Sequence, residues 1–125
     1  PLLNIIKQAQ QLNFKLLITT DHGTINVKNP SKVIGDRDTS LNLRYKTGRS
    51  LSYEAKDVVA IKDPSSVGLP CISLNSTFIF AKSNLFFAYP NNYNHYVSYY
   101  KNSYQHGGIS LEEVLIPFVV LNPRS

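Results

Sequence analysis

Two short stretches of the sequence combine histidine with glycine and with acidic residues. In the first, "KLLITTDHGT" over residues 15–24, an apolar run ends on Asp21 and His22. In the second, "YQHGGISLEEVLIPFVVL" over residues 104–121, two glycines follow His106. Carboxylate and neutral imidazole suit zinc and also manganese as ligands. The same side chains also form hydrogen-bonded polar clusters without metal, and the motifs by themselves leave both interpretations open.

The first stretch places its polar pair at the end of a strand. Residues 15–20 are predicted to form that strand because the apolar run "LLI" precedes two threonines. Such a run is typical of a central strand that is covered on both faces. In open α/β sheets, ligands bind beyond the carboxyl ends of the strands, so Asp21 and His22 lie where a site is expected. An Asp near a Gly is also common in ordinary turns, which leaves a purely structural turn as the alternative.

The second stretch places His106 in a loop between short elements. Its two glycines allow backbone conformations that bring the imidazole close to another group. "SLEE" over residues 110–113 is a capping-box pattern that opens a short helical turn. Residues 115–121 then read as a strand, with Pro117 better suited to an edge or a strand start. His22 and His106 are far apart in sequence, so only the fold can bring them together.

The rest of the chain predicts helices and strands of a layered α/β fold. Apolar residues at helical spacing predict a helix over residues 1–12, which leads into the first strand. The β-rich runs "STFIFAK" and "NLFFAYP" are predicted to form an antiparallel hairpin. The other predicted elements are a short strand at 32–35, a strand at 56–62, a helical turn at 64–68, and a helix from Asn91 or Asn92 to about residue 104.

The last of these helices carries tyrosines on one face. Together with Val97, the members of this stripe at helical spacing are Tyr93, Tyr96, Tyr100 and Tyr104. Such a stripe could stack nucleobases, but it is more often a packing face, which is the interpretation that we favour. His95 lies off the stripe and is predicted to be a surface residue. Cys71 is predicted to be a small apolar filler.

Positive charge is concentrated in one segment. The net charge is +5. Residues 28–62 are rich in lysine and arginine, and within them the stretch "RDTSLNLRYKTGRS" is the most basic part. A solvated surface loop explains this cluster, and so does a site for anionic phosphate, to which arginine presents a rigid fork of donors. Under the second interpretation, the phosphate-binding residues are Arg37, Arg44, Lys46 and Arg49. Arg44 is the best single candidate because packing of its two neighbours could fix its direction.

Length and composition fit one small globular domain. The chain has 125 residues, of which 42% are hydrophobic and 17% charged, as is ordinary for a folded domain. A single cysteine excludes an internal disulfide and fits a reducing compartment. No apolar run approaches the roughly 20 residues that span a bilayer. We therefore expect a cytoplasmic protein that does not insert in a membrane. Because the chain starts at Pro1 and contains no methionine, we expect it to be a piece of a longer protein.

Over nearly its whole length, the chain also resembles a known family. "TTDHGT" and "YQHGGISLEEVLIPFVVL" resemble the C-terminal part of a PglZ domain, a branch of the alkaline phosphatase superfamily. "VKNPSKVIGDRDTSLNLRYKTGRSL" and "FIFAKSNLFFAYPNNYNHYVSYYKNSYQHGG" are similar to the PglZ domain of PorX-type response regulators of Bacteroidetes. The resemblance implies a central sheet layered between helices. Residues 1–125 are therefore expected to form the C-terminal fragment of an alkaline phosphatase-like domain.

The resemblance further implies a site with two divalent metals, typically zinc. Asp21 and His22 match the family's Asp-His pair, which binds one metal, and His106 matches the late histidine, which helps to bind the other. The family also uses an upstream Asp, a Thr or Ser nucleophile and a further Asp/His pair. These residues have no match in this sequence and are expected before Pro1. Two such metals can together hold the attacking and leaving oxygens of a phosphoryl displacement.

The function that the resemblance implies is a phosphoesterase output domain of a two-component response regulator, with phosphodiesterase activity on oligonucleotides. Its implied partners in the parent chain are a receiver domain and the other half of the PglZ domain, in a pathway that regulates type IX secretion. The isolated fragment is expected to lack turnover and to self-associate, because exposed sheet edges favour pairing. Two alternatives stay open, namely a non-catalytic module that binds a partner protein or nucleotide, and nonspecific nucleic-acid binding by positive charge.

Overall fold

Short strands in four small sheets, with three α-helices beside them, make up the computed structural model, which describes residues 1–124. The predicted α/β class is confirmed. The helices are α1 (Leu2–Gln11), α2 (Tyr93–Tyr100) and α3 (Leu111–Val114). The strands are β1 (Leu16–Thr19), β2 (Ile25–Asn26), β3 (Asn29–Lys32), β4 (Tyr45–Gly48), β5 (Val58–Ile61), β6 (Thr77–Ala81), β7 (Leu85–Ala88), β8 (Tyr104–Gln105) and β9 (Phe118–Leu121).

Strand pairing joins segments that are distant in sequence. β1 pairs antiparallel with β9, β2 pairs antiparallel with β8, and β3 pairs parallel with β7. The order of the three-stranded sheet is β4-β6-β5, and both of its pairings are antiparallel. Both histidine motifs are therefore held by long-range pairing, since β1 precedes the first and β8 the second.

The core consists of two apolar clusters that meet at β7. Side chains of successive strand residues point to opposite faces. Accordingly, Phe87 packs with Val33, Val58 and Ile79 in one cluster, whereas Phe86 packs in the other. The second cluster also contains Ile25, Val27 and Ala88. β7 is thus covered on both faces. The prediction that the strand before Asp21 is such a central strand is wrong within residues 1–124, because β1 has only β9 as a neighbour and its side chains are partly exposed.

The predicted hairpin of β6 and β7 does not form. β6 uses both of its edges, because it lies between β4 and β5. β7 instead pairs with β3, in a parallel register that matches Ser31 to Phe87. Ser83 in the connecting turn has a left-handed backbone with φ 47°. The two apolar runs therefore belong to different sheets although only three residues separate them.

Helix α2 is shorter than predicted. Asn102 takes a left-handed backbone, φ 65°, and its N–H donates to the carbonyl of Val27 at 2.7 Å. The chain then enters β8, so Tyr104 lies on a strand and is 71% exposed. Asn92 occupies the N-cap position, but its side chain makes no capping hydrogen bond. Packing of the tyrosine stripe is confirmed for the side chains that lie against the second core cluster, Tyr93, Val97 and Tyr100.

Other local predictions hold with small shifts. α1, β5, the 3₁₀ turn Pro64–Val67, α3 and β9 all lie within the predicted segments. The strand predicted at 32–35 is wrong in position, because β3 ends at Lys32 and shares only that residue with the prediction, and Ile34 adds only an isolated bridge to Ser52. Cys71 is exposed, so its predicted role as an apolar filler is wrong. Within residues 1–124, helices fall short of the length and apolar character that crossing a bilayer requires.

Candidate functional site

The fold brings His22 and His106 into direct contact. Their imidazole rings are stacked, with 3.7 Å between the ring centroids and 10° between the ring planes. The β2–β8 ladder explains this approach, because it pairs Ile25 with Gln105. One step further along the same antiparallel register, His106 lies beside the segment that contains His22. The expectation that only long-range folding can join the two motifs is therefore confirmed.

A glycine allows the first motif to lie directly against the second. The Gly23 N–H donates to the Glu113 carbonyl at 2.9 Å. A Cβ at position 23 would lie 2.0 Å from the Glu112 carbonyl oxygen, which is closer than any carbon can approach. The Asp-His-Gly motif therefore needs its glycine for close approach of two backbones.

The orientation of the His22 ring leaves one nitrogen available. Nδ1 lies 2.8 Å from the Gly23 carbonyl oxygen, to which a protonated Nδ1 donates. A bond of this kind fixes the tautomer and leaves Nε2 with its lone pair. Nε2 is 3.6 Å from Oδ1 of Asp21. Two ligands of a tetrahedral zinc ion are separated by roughly 3.4 Å, given bond lengths near 2.1 Å. The Asp21–His22 pair therefore has the spacing and the donor atoms of a partial metal site.

The exposure of the three candidate ligands is suited to binding. The Asp21 side chain is 89% exposed and that of His22 38% exposed. His106 is also exposed, and its main-chain carbonyl accepts a 3.3 Å hydrogen bond from Nδ2 of Asn42. Gly107, the next residue, has φ 99°, a conformation that favours glycine. The His106 loop is thus shaped by its backbone, while the imidazole stays accessible.

The most basic segment contributes a buried ion pair. Arg44 Nε donates to Oε1 of Glu113 at 2.9 Å, and Nη2 donates to Oε2 at 3.0 Å. The two side chains are 0% and 1% exposed. Nη1 of Arg44 donates to the Leu85 carbonyl. The prediction that Arg44 contacts substrate phosphate is therefore wrong in this structure, because its donors are already engaged inside the protein.

The Glu113 carboxylate also holds the chain just after His106. Its Oε1 accepts from the Gly108 N–H at 2.9 Å, and its Oε2 accepts from Ser110 N–H and Oγ at 3.2 and 2.8 Å. Burial raises the pKa of this carboxyl, but hydrogen bonds from Arg44 and Ser110, the Arg44 charge and the Gly108 amide together hold its pKa below the usual 4.5. The predicted capping box is confirmed. The sequence pattern indicates Glu113 only as a helix cap, and its partner Arg44 was not predicted.

The other three cations of the predicted phosphate site differ in burial and in their hydrogen-bond partners. Lys46 is 6% exposed, and its ammonium donates to the Ser40 carbonyl at 2.6 Å. Burial lowers the Lys46 pKa to about 8. Arg49 is exposed and pairs with Asp38 at 3.3 Å, and Arg37 is exposed as well. Only Arg37 and Arg49 among the four predicted residues are therefore open to a ligand.

The described part of the chain does not complete a metal site. Among residues 1–124, His, Cys, Asp and Glu side chains do not assemble into a group of three or more that could hold one ion. Asp21, His22 and His106 are the donors that lie together at the end of β1. A zinc ion with three or four protein ligands would need further donors there.

Comparison with protein families agrees with this picture. The mixed α/β architecture, with several small sheets and helices, is consistent with an alkaline phosphatase-like domain. A family model of the BREX system PglZ alkaline phosphatase-like domain matches residues 2–121, and the chain belongs to this family. The comparison with curated proteins gives no match. The family defines a phosphoesterase-type module in general terms.

Proposed function

We propose that this chain contributes to a metal-dependent phosphodiesterase domain. The observation that carries the proposal is the stack of His22 on His106, next to Asp21, at the end of β1. Two residue groups that are distant in sequence meet there, and they have the donor chemistry of zinc or manganese ligands. Membership of the PglZ family supports a phosphoester substrate.

Each residue has a definite role in this proposal. Asp21 and the free Nε2 of His22 bind one ion, and His106 helps to bind a second. The stacking of the two rings places both imidazoles at one location, as a site for two neighbouring ions requires. Bound metal would supply charge stabilisation for the attacking and leaving oxygens. Gly23 fixes the first motif against α3, and its carbonyl accepts from Nδ1 of His22, which in the neutral ring directs the lone pair to Nε2.

Further parts of the site are proposed to come from outside this chain. They are the remaining metal ligands and a Thr or Ser nucleophile. The proposed parent is a cytoplasmic response regulator of the PorX type with a receiver domain, and its proposed substrate is an oligonucleotide. Arg37 and Arg49, which are exposed, are the candidates that remain for contacts to substrate phosphates.

A second candidate function is a non-catalytic module that binds a partner protein. Exposed apolar side chains on one face of the β1–β9 ribbon favour it. Leu17 and Val120 are cross-strand neighbours, and Phe118 lies on the same face two residues from Val120. Their exposed fractions are 52%, 43% and 66%. α1 lies near the opposite face. Ile6 of this helix, Phe14 just after it and Leu16 of β1 line a cleft of about 320 Å³ there.

The two candidates differ in turnover. The test is hydrolysis of a bis-aryl phosphodiester and of a short oligonucleotide by the full-length protein loaded with zinc or manganese. We expect His22→Ala and His106→Ala to lower kcat by at least 100-fold, whereas the surface variant His95→Ala keeps wild-type activity. Full-length protein that binds metal but does not hydrolyse either substrate would favour the binding module. The isolated 125-residue chain is expected to show no turnover.

A further inference from the structure

A continuous set of hydrogen bonds, buried at its centre, connects the residues just before β4 to the loop that carries His106. Arg44 and Glu113 form its centre, and the Glu113 carboxylate accepts from the backbone of Gly108 and Ser110. A parallel link runs through Asn42. Its Oδ1 accepts from the Arg44 N–H at 2.7 Å, and its Nδ2 donates to the His106 carbonyl at 3.3 Å. Hydrogen bonds thus connect the chain on both sides of Gly107 to Asn42 and Arg44.

We propose that Arg44 and Glu113 are positioning residues that hold His106 against His22, and this role rests on the proposed metal site. The two residues do not touch the imidazoles. They act through the backbone of the His106 loop, whose left-handed Gly107 has no regular secondary structure to fix it. A Cβ at position 108 would lie 2.5 Å from Oε2 of Glu113, which shows how closely the loop follows the carboxylate.

The energetics of buried ion pairs support a role beyond stability. Two charges taken out of water lose hydration that their mutual attraction only partly restores, so apolar residues of similar volume often stabilise a core as well or better. Removing one partner is different, because it leaves a buried charge unpaired. A single substitution therefore tests mainly stability. The double replacement Arg44→Met/Glu113→Leu removes both charges and is the variant that separates stability from positioning.

The most direct measurement is of the contact between the two stacked imidazole rings. Each aromatic ring shifts the proton resonances of a ring stacked on it, so the imidazole proton shifts of His22 and His106 report their contact in the metal-free chain. We expect the double variant to fold and to lose this mutual shift. His95 provides an internal reference on α2. Arg49→Met is the matched control, since Arg49 is an exposed arginine of the same segment paired only with Asp38, and it should leave the shifts unchanged.

If the double variant does not fold, a second variant that preserves the size of the side chain is used, and its imidazole shifts are read only after its fold is confirmed. Glu113→Gln retains the shape of the side chain but replaces one acceptor oxygen by a donor group. This change should weaken the hydrogen bonds from the Gly108 and Ser110 amides. It should also partly reduce the proton shifts that His22 and His106 induce in each other. A folded variant, either the double or Glu113→Gln, with unchanged His22 and His106 shifts would overturn the proposal.

A second readout separates this proposal from the proposed function. In the full-length protein, zinc affinity is measured by competition with a chromogenic chelator. We expect the double variant to bind zinc about 10- to 100-fold more weakly, as is typical when residues that orient metal ligands are changed. Equal zinc affinity of wild type and double variant would contradict positioning and leave the metal site intact. A wild type that does not bind zinc, with a stack that still depends on Arg44 and Glu113, would contradict the metal site alone.

Discussion

The amide of Gly23 donates a 2.9 Å hydrogen bond to the main-chain carbonyl of Glu113 and so joins the two histidine motifs through their backbones. The contact leaves no space for a side chain, because a Cβ at position 23 would lie 2.0 Å from the Glu112 carbonyl oxygen. We expect Gly23→Ala to lower the free energy of unfolding by about 1–3 kcal/mol, as overpacking does, and to separate the imidazoles. Thermal unfolding and the histidine proton shifts measure both effects.

Gly68→Ala is the control for the glycine substitution. Gly68 has a left-handed backbone, φ 75°, but a Cβ there would meet open space. Its replacement should cost only the backbone strain of about 1 kcal/mol and leave the histidine stack unchanged. Equal loss of the stack in the two variants would show that overall stability, and not the close approach at Gly23, maintains it.

The buried carboxyl of Glu113 predicts acid sensitivity. Its pKa is held below the usual 4.5 by Arg44 and Ser110, so its stabilising contribution is present above about pH 4.5 and is lost as the pH falls through the folded-state pKa. Glu113→Gln leaves Arg44 without a counter-charge and should be about 3–5 kcal/mol less stable at pH 7. We expect this difference to shrink below pH 4.5, when measured by urea unfolding.

Glu112→Gln is the matched control for that experiment. Glu112 is exposed on the same short helix, and its replacement should follow the wild type at each pH. A stability difference between wild type and Glu113→Gln that stays constant down to pH 2 would argue against the assigned role of the carboxylate.

The buried ammonium of Lys46 predicts a second pH dependence of stability, in the alkaline range. Burial lowers its pKa from 10.5 to about 8, so below pH 8 a charged group is buried at a cost to stability. Between pH 8 and 10.5 the unfolded chain holds more protons than the folded chain, and stability rises with pH. Relative to Lys46→Met, the wild type should gain on the order of 3 kcal/mol across this range. Lys62→Met, at an exposed lysine, should show no such gain.

The apolar face of the β1–β9 ribbon predicts self-association of the isolated chain. Leu17, Phe118 and Val120 form a contiguous exposed surface, and such surfaces favour contacts between chains. We expect sedimentation analysis to show dimers or larger species, and Leu17→Lys/Phe118→Lys to shift the population to monomer. Leu41→Lys is the control, because Leu41 is 91% exposed outside this face. A wild-type chain that is monomeric at high concentration would exclude this surface as an interface between copies of the chain.

Local sequence rules predict much of this fold but little of its pairing. α1, the 3₁₀ turn and α3 follow from apolar spacing, Pro and the capping box, which act within a few residues. The pairing of β6 and β7 is decided by which partners occupy their edges, and those partners lie elsewhere in the chain. Tyr104 leaves the helical pattern because β8 pairs with β2. Such competition between partners leaves no trace in a short window of sequence.

In the candidate site too, residue types could be predicted from the local sequence, whereas their contacts with distant residues could not. Asp21, His22 and His106 can be selected by residue type and by their glycines, whereas their stacking depends on two strands of two residues each, which have no detectable periodicity. Arg44 lies in a basic stretch that indicates a solvated or phosphate-binding surface. Its burial depends on one carboxylate from α3, and the sequence pattern around Arg44 contains no sign of that partner.

The central claim is that His22 and His106 bind different ions of one metal site, and metal stoichiometry tests it most directly. Elemental analysis of the full-length protein should give two zinc equivalents for the wild type and for His95→Ala. His22→Ala and Asp21→Ala should each lose one equivalent, and His106→Ala should lose or weaken the other. Unchanged zinc content in all three site variants would contradict the assignment.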